Sequence, residues 1–283
     1  MTTGALIYAQ NNSSVDYVKL AVFAAKQVKK YLDIPISIVT DSPGWLEESQ
    51  PDHVFDQIIN FVPTNTDYHQ RRFNDGALSS RILEWKNLER ATAYELSPYD
   101  RTLVLDSDYI VNSTILKNAL LVDSEFQIYK NCFDISGWRT NNAYKRINPY
   151  SIPFYWATVF VFDKTPMTKA FFDLIMYIRQ NWNYFRTLYN IEFPTFRNDF
   201  AFSIAIHNMN GKSDGIFASE LPGSMNYITD RDFLISIDDN DMKFLIEKEN
   251  WLGEYTLAKV QNLDVHVMNK YSLARFIDGG SGV

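Results

Sequence analysis

Residues 99–111 read YDRTLVLDSDYIV, and this stretch decides the predicted fold. Its centre, TLVL, is continuously apolar, which is typical of a strand in the middle of a sheet that is covered on both faces. The strand runs directly into Asp106 and Asp108, which are separated by one residue. Side chains of an extended chain alternate in direction, so we expect the two carboxylates to point the same way.

The two aspartates predict a metal site. Neighbouring carboxylates repel each other unless a cation joins them. In open α/β sheets, ligands bind outside the carboxyl ends of the strands, which is where this pair would lie. Carboxylate oxygens suit Mn²⁺ or Mg²⁺, and such ions often complete their coordination with the phosphates of a substrate. The alternative is a chance D-x-D sequence in a turn, because the motif is short.

The elements around this stretch predict an α/β protein. Short apolar runs at residues 5–9, 36–39 and 57–62 are separated by helical signals, which is the pattern of a parallel sheet with covering helices. The predicted fold is therefore a single domain, an α/β/α sandwich with a central, mainly parallel sheet. Further predictions are a helix capped by Ser13 and Ser14, a helix over residues 78–94, a strand over residues 156–162, a helix that begins at Thr165-Pro166, a helix over residues 198–205, an irregular acidic run over residues 219–259, and a strand over Val265–Val267.

The composition excludes several classes of protein. The chain has 283 residues, of which 46% are hydrophobic, and this is too apolar for a disordered protein. No apolar run is long enough to span a bilayer, and the opening MTTGALIYAQ lacks the pattern of a secretory signal. Cys132 is the one cysteine and cannot form an internal disulfide, so we expect a cytoplasmic protein.

Charge is distributed unevenly along the chain. The net charge of −7 argues against a protein that coats nucleic acid. Residues 1–126 carry −6, residues 127–197 carry +5, and residues 198–283 carry −6. The basic middle is either a solvated face or a patch that meets an anionic acceptor.

Five segments resemble GT-A-fold glycosyltransferases, and glycosyltransferase family 8 in particular. LVLDSDYIV resembles the metal-binding D-x-D strand of that family, and VHVMNK resembles the segment that returns a histidine to the metal. The resemblance implies that Asp106, Asp108 and His266 hold Mn²⁺ or Mg²⁺. Between two valines, His266 could equally be a satisfied core residue. The other three segments are LSSRILEWKNLERATAYELSPYD, YWATVFVFD and RNDFAFSIAIHNMNG.

The same resemblance implies residues that contact a nucleotide-sugar donor. Arg81 matches the family's basic residue that faces the donor from the helix before the D-x-D strand. Lys270 matches the residue on the diphosphate, although no glycine separates it from the histidine as the family pattern requires. Arg275 is the alternative to Lys270. Asp199 is either an acid near the anomeric carbon or a residue that stabilises the start of a helix.

Strand ends supply the remaining donor candidates. Base and ribose edges are often met at the carboxyl ends of the first strands in such sheets, although Asp41 in Thr-Asp-Ser-Pro could simply form a turn. The residues assigned to the donor on this basis are Ala9, Gln10, Asn11, Asp41 and Ser107.

These observations predict a metal-dependent glycosyltransferase that uses a nucleoside-diphosphate sugar, with a UDP-sugar as the expected donor. The resemblance implies retention at the anomeric carbon. Residues 1–125 would bind the donor, residues 126–275 would bind the acceptor, and residues 276–283 would be a loose tail. The acceptor is a glycan, a glycolipid head group or a hydroxylated nucleic-acid base. A metal-dependent nucleotidyltransferase and a non-catalytic sugar-binding protein remain the alternatives.

Overall fold

The computed structural model describes residues 1–62, 69–85, 90–139, 144–250 and 252–279. Its strands belong to four sheets, and the stretch of residues 99–111 contributes one strand to each of two of them. The strands are β1 (Thr3–Ala9), β2 (Ile36–Thr40), β3 (Gln57–Asn60), β4 (His69–Asn74), β5 (Ser80–Trp85), β6 (Arg101–Asp106), β7 (Tyr109–Ile110), β8 (Phe126–Tyr129), β9 (Cys132–Asp134), β10 (Trp156–Asp163), β11 (Ser219–Glu220), β12 (Met225–Ile228), β13 (Phe233–Asp238), β14 (Asp241–Glu247), β15 (Tyr255–Gln261) and β16 (Val265–Val267).

The central sheet has the strand order β11-β8-β10-β6-β1-β2-β3. β1 pairs in parallel with β2 and β6, β2 pairs in parallel with β3, and β8 pairs in parallel with β11. β10 runs antiparallel between β6 and β8. The predicted α/β class with a central, mainly parallel sheet is therefore confirmed. Tyr8 at the end of β1 pairs with Asp106 at the end of β6, so the carboxyl ends of these two strands meet at one edge.

Helices cover this sheet, as predicted. The helix Tyr17–Leu32 (α1) packs against β1 and β2, and the helix Asn198–Met209 (α7) packs against β10 and the helix Pro166–Gln180 (α5). Every residue of β10 is buried, and its phenylalanines contact those of α5 and α7. The helices are α1 (Tyr17–Leu32), α2 (Pro43–Ser49), α3 (Ala93–Leu96), α4 (Ile115–Leu121), α5 (Pro166–Gln180), α6 (Trp182–Leu188), α7 (Asn198–Met209) and α8 (Lys270–Ile277).

The helix starts show how local sequence sets these elements. The predicted start of α5 is confirmed, because Thr165 and Thr168 form a reciprocal capping box and Pro166 occupies the first turn. The predicted cap of α1 by Ser13 and Ser14 is wrong. Asp16 caps this helix, and its carboxylate accepts a hydrogen bond of 3.0 Å from the Lys19 amide.

The prediction of an irregular run over residues 219–259 is also wrong. β13, β14 and β15 form a three-stranded antiparallel sheet within it. β12 belongs to a further sheet with the order β7-β16-β12-β9. Buried and partly exposed residues alternate along β14. The sequence signal for this strand was therefore an alternation of apolar and polar residues, which the acidic residues of the region obscured.

The predicted helix over residues 78–94 is replaced by a β-hairpin. β4 and β5 pair antiparallel from His69↔Trp85 to Asn74↔Ser80, and the remainder of that region contains a 3₁₀ turn (Arg90–Thr92) and α3. Gly76 at the turn has a φ of +78°, a conformation that favours glycine. Asn74-Asp75-Gly76 was therefore the hairpin signal. Residues 86–89 lie outside the described residues.

No helix in the described part of the chain is long and apolar enough to cross a bilayer. At the other end, the predicted loose tail over residues 276–283 begins inside α8, which continues to Ile277. Residues 280–283 lie outside the described residues.

Candidate active site

A two-residue turn joins the central sheet to the second sheet at the two aspartates. β6 ends at Asp106, Ser107 and Asp108 form the turn, and β7 begins at Tyr109. The expectation that an extended chain aligns the two side chains is therefore wrong. Their carboxylates converge because the chain turns between them, and the strand alternation that we invoked ends at Asp106.

The second sheet brings His266 to the same place. β16 pairs antiparallel with β7, with His266 opposite Tyr109, and the Val267 amide donates to the Asp108 carbonyl at 2.9 Å. The imidazole Nε2 of His266 lies 3.2 Å from Asp108 Oδ2. One ligand atom from each of Asp106, Asp108 and His266 lies within 4.8 Å of the others. Two carboxylates and one imidazole nitrogen form a donor set that suits Mn²⁺ or Mg²⁺.

Cations neutralise both carboxylates in this arrangement. Arg90, from the 3₁₀ turn, hydrogen-bonds to Asp106 through its guanidinium group. Lys270, at the start of α8, donates to Asp108 Oδ2 at 2.6 Å. Both aspartates and His266 have little exposure to solvent. The site therefore combines two carboxylates of low exposure with cations from distant parts of the chain.

The two aspartates differ in their ionisation. Burial raises the pKa of Asp106 to about 6, against the opposing effect of Arg90, and the negative charge of Asp108 adds to the rise. Burial also opposes ionisation of Asp108, but Lys270 and His266 outweigh it and hold the pKa of this carboxyl below its ordinary value. Both carboxyls are therefore ionised at neutral pH, and Asp106 is the first of the two to take up a proton as the pH falls.

Asp199 faces this pair from the first turn of α7. Its Oδ1 accepts a hydrogen bond of 3.0 Å from the Ala157 amide on β10. Its Oδ2 accepts one of 2.7 Å from Arg197. Asp199 thus lines the same cleft as the aspartates, and its two donors hold it in one orientation. Asp199 lies in the first turn of a helix and also in the cleft, and its role near an anomeric carbon stays a prediction.

The cleft offers about 970 Å³ of empty space, open solvent included. Its wall includes Gln10, Ser107 and Lys270 from the predicted donor set. The wall also includes residues that our sequence analysis missed, among them Asn12, Tyr17, Arg71 and Arg90. Burial raises the pKa of the Tyr17 hydroxyl well above its ordinary value, so this group is a neutral hydrogen-bonding group at the cleft wall.

Other predicted residues lie elsewhere. The described lining of the cleft does not include Ala9, Asn11, Asp41 or Arg81. Ala9 is buried at the end of β1, and the Asn11 side chain accepts a hydrogen bond of 3.0 Å from the Val18 amide in α1. The assignment of Ala9, Asn11 and Asp41 to a donor stays a prediction.

Arg81 lies on β5, where it is exposed to solvent, and its guanidinium lies 5.7 Å from the ring centre of Tyr271. Arg90, not Arg81, lies beside Asp106, and the donor role that the resemblance implies for Arg81 stays a prediction. The hairpin of β4 and β5 is held beside the site, because the side-chain amide of Asn12 donates a hydrogen bond of 3.2 Å to the Glu84 backbone carbonyl. The helical prediction for this region is wrong, and the described lining of the cleft includes Arg90 and not Arg81.

No protein-family model matches this chain, and no curated protein matches it. Among solved structures, the glycosyltransferase GlyE of Streptococcus pneumoniae TIGR4 shares 12% identity over 78% of this chain and 45% of its own, with a TM-score of 0.44. The galactosyltransferase LgtC, in complex with donor and acceptor sugar analogs, shares 14% identity over 71% of this chain and 70% of its own, with a TM-score of 0.41.

The bifunctional IspDF of Campylobacter jejuni shares 14% identity over 79% of this chain and 50% of its own, with a TM-score of 0.42. This chain thus spans less than half the length of GlyE and half that of IspDF. With TM-scores below 0.5, none of these similarities carries a functional conclusion. The fold class follows from the described strand order.

Proposed function

We propose that this chain is a metal-dependent glycosyltransferase that moves a sugar from a nucleoside-diphosphate sugar to an acceptor hydroxyl. The observation that carries the proposal is the convergence of Asp106, Asp108 and His266 at the carboxyl edge of the central sheet. Such an edge is where open α/β sheets bind ligands. Donor cleavage requires a site that accepts negative charge on a leaving diphosphate, and this cleft combines a metal-binding donor set with several cations.

Asp106, Asp108 and His266 would hold the ion, with Mn²⁺ or Mg²⁺ as the cofactor. A divalent ion bound by these residues supplies positive charge to the leaving diphosphate. Arg90 and Lys270, which pair with the aspartates in the described structure, then have an anionic partner in the diphosphate. Their role is to bind and orient it, since charge-assisted hydrogen bonds to phosphate are among the strongest in proteins.

Asp199 would act on the sugar. Its carboxylate is fixed by the Ala157 amide and by Arg197, so it can bind sugar hydroxyls or stabilise positive charge on the ring without losing its position. This role fits a retaining enzyme, which is what the family resemblance implies. Gln10 and Ser107, at the ends of β1 and β6, would contact the nucleotide, for which we propose UDP.

The acceptor is proposed to be a glycan, a glycolipid head group or a hydroxylated nucleic-acid base. We assign donor binding to residues 1–125 and acceptor binding to residues 126–275 of a single domain. Asp199 and Arg197 in the cleft belong to the second of these segments. We further propose a cytoplasmic location for the reaction.

One experiment tests the proposed reaction against its two alternatives. The protein is incubated with Mn²⁺ and a panel of nucleotide sugars, and the release of nucleoside diphosphate is measured with and without a chelator. We expect release from at least one donor, and its loss in chelator. Release of pyrophosphate from a nucleoside triphosphate would instead identify a nucleotidyltransferase. Sugar binding that persists in chelator, with no release from any donor, would identify a binding protein.

The two arginines provide a matched pair of variants. We expect Arg90→Met to lower kcat/KM for the donor by roughly 10- to 100-fold, because a charged hydrogen bond contributes about 1.5–3 kcal/mol. Arg81→Met, the same change on the exposed hairpin, should leave kcat/KM within about twofold. Initial rates at several donor concentrations measure both. If Arg81→Met lowers kcat/KM for the donor while Arg90→Met leaves it unchanged, Arg81 and not Arg90 is the arginine that binds the donor.

A further inference from the structure

One face of the molecule differs in charge from the rest of the chain. We define the basic face as residues 144–153 and 177–197, which contain five basic residues and one acidic residue, Glu192. These segments therefore carry +4, or +3 when Arg197, which pairs with Asp199, is left out, whereas the whole chain carries −7. Lys145 and Arg146 are exposed at its edge. Such a local excess of positive charge attracts an extended anionic surface.

The basic face also exposes large apolar side chains. Tyr150 is 98% exposed, Leu188 is 59% exposed and Phe193 is 60% exposed. Tyr177 and Tyr184 are likewise more than half exposed. Single exposed apolar residues are ordinary on protein surfaces, but a group of them among basic residues marks an interaction site.

Contacts within the described structure join these residues into one surface. The rings of Tyr177 and Tyr184 both pack edge-on against Phe185, at 6.0 Å and 5.2 Å between centroids. Tyr184 and Leu188 are four residues apart on α6 and so lie on the same side of it. At the end of α6, the Asn148 amide donates to the Tyr189 carbonyl at 2.7 Å, which places the turn that carries Tyr150 beside this helix.

The basic face reaches the mouth of the cleft. Phe193 stacks on Phe200 at 6.3 Å between centroids. The guanidinium of Arg197 lies 5.4 Å from the ring centre of Phe200, and Arg197 lines the cleft. A partner bound to this face would therefore lie next to a residue of the cleft wall.

We propose that the basic face binds the surface of an anionic lipid bilayer. Its basic residues complement anionic head groups, and its protruding tyrosines are amphipathic side chains of the kind that settle at the head-group level. The side chains of Leu188 and Phe193 have no polar atoms. A lipid bilayer offers these side chains an apolar phase, which a nucleic-acid backbone does not. Binding of this kind is peripheral, and it does not depend on the transfer reaction.

Sedimentation with lipid vesicles tests this proposal on the full chain without any donor. We expect binding to vesicles that contain equal parts of phosphatidylcholine and phosphatidylglycerol, and weak binding to phosphatidylcholine alone. Each basic residue near such a surface raises the binding constant for the membrane by roughly fivefold. The double variant Lys145→Glu, Arg146→Glu should therefore bind these vesicles at least about tenfold more weakly. Lys29→Glu, Lys30→Glu is the matched control, since it reverses two adjacent exposed bases on α1, and it should bind nearly as the parent does.

A second pair of variants separates lipid from nucleic acid. Leu188→Ser and Phe193→Ser should each weaken vesicle binding by roughly threefold or more, because both side chains would enter the lipid phase. A mixed-sequence oligonucleotide serves as the competing anion. The proposal is overturned if the oligonucleotide binds more tightly than the vesicles, or if the control pair on α1 weakens vesicle binding as much as the pair on the basic face. The vesicle experiment contains no donor, so its outcome does not depend on whether the protein cleaves nucleotide sugars.

Discussion

Asp108→Asn is expected to lower the rate of donor cleavage by about a thousandfold, the size of effect seen when one group that stabilises developing charge is removed. Asp108 contacts both His266 and Lys270, and it is the carboxylate whose pKa is lowered. The amide keeps the shape of the side chain but removes the charge that an ion and these two partners require. Initial rates of nucleoside diphosphate release at saturating Mn²⁺ measure the effect.

The control for this variant is Asp173→Asn, which makes the same chemical change on the exposed surface of α5, where Asp173 pairs with Lys169. It should retain the parent rate. Calorimetric titration with Mn²⁺, without donor, provides a second measurement, in which Asp108→Asn should bind the ion more weakly. An Asp108→Asn protein that folds, binds Mn²⁺ normally and cleaves donor at the parent rate would contradict the proposed site.

Arg101→Met is expected to destabilise the fold by about 3–5 kcal/mol, because it leaves a buried carboxylate without its partner. Arg101 forms two hydrogen bonds to Asp163, of 2.5 Å and 2.6 Å, across the register of β6 and β10. Its guanidinium also donates to the carbonyls of Leu120 and Val122 at 2.8 Å and 2.9 Å. One substitution therefore removes the partners of a charge and of two carbonyl groups.

Urea unfolding followed by circular dichroism measures this loss. Lys169→Met is the comparison, because Lys169 forms exposed ion pairs with Asp173 and Glu95, which contribute about 0–1 kcal/mol. The double variant Arg101→Met, Asp163→Leu should recover part of the stability, since it removes both charges together. A loss below about 1 kcal/mol in Arg101→Met would show that the buried pair has little effect on stability.

Much of the fold could be predicted because some signals are local. Thr165 and Pro166 form their cap with residues of the same turn, and Val265–Val267 is a strand with the predicted bounds. The hairpin over β4 and β5 was missed because apolar residues there also recur at helical spacing. Ile82, which that spacing would bury, is 62% exposed, and the deciding signal was the turn at Asn74-Asp75-Gly76.

The site was only partly predictable for a different reason. Asp106, Asp108 and His266 were chosen from residue type and from the family resemblance, and the structure brings them together. Arg81 was selected on a helical prediction for its segment, whereas Arg81 lies on β5 and the 3₁₀ turn brings Arg90 beside Asp106. Arg71 reaches the cleft from β4, and nothing in its immediate sequence points to that position.

The two-residue turn at Ser107 and Asp108 has a consequence for the order in which the site is completed during translation. Arg90 is synthesised before Asp106, so the partner of the first carboxylate is already on the nascent chain when that carboxylate emerges. The partners of Asp108 are His266 and Lys270, which the ribosome adds much later. Asp108 therefore has neither His266 nor Lys270 as a partner until the later part of the chain has left the ribosome. A product truncated before residue 266 would carry both aspartates without the histidine.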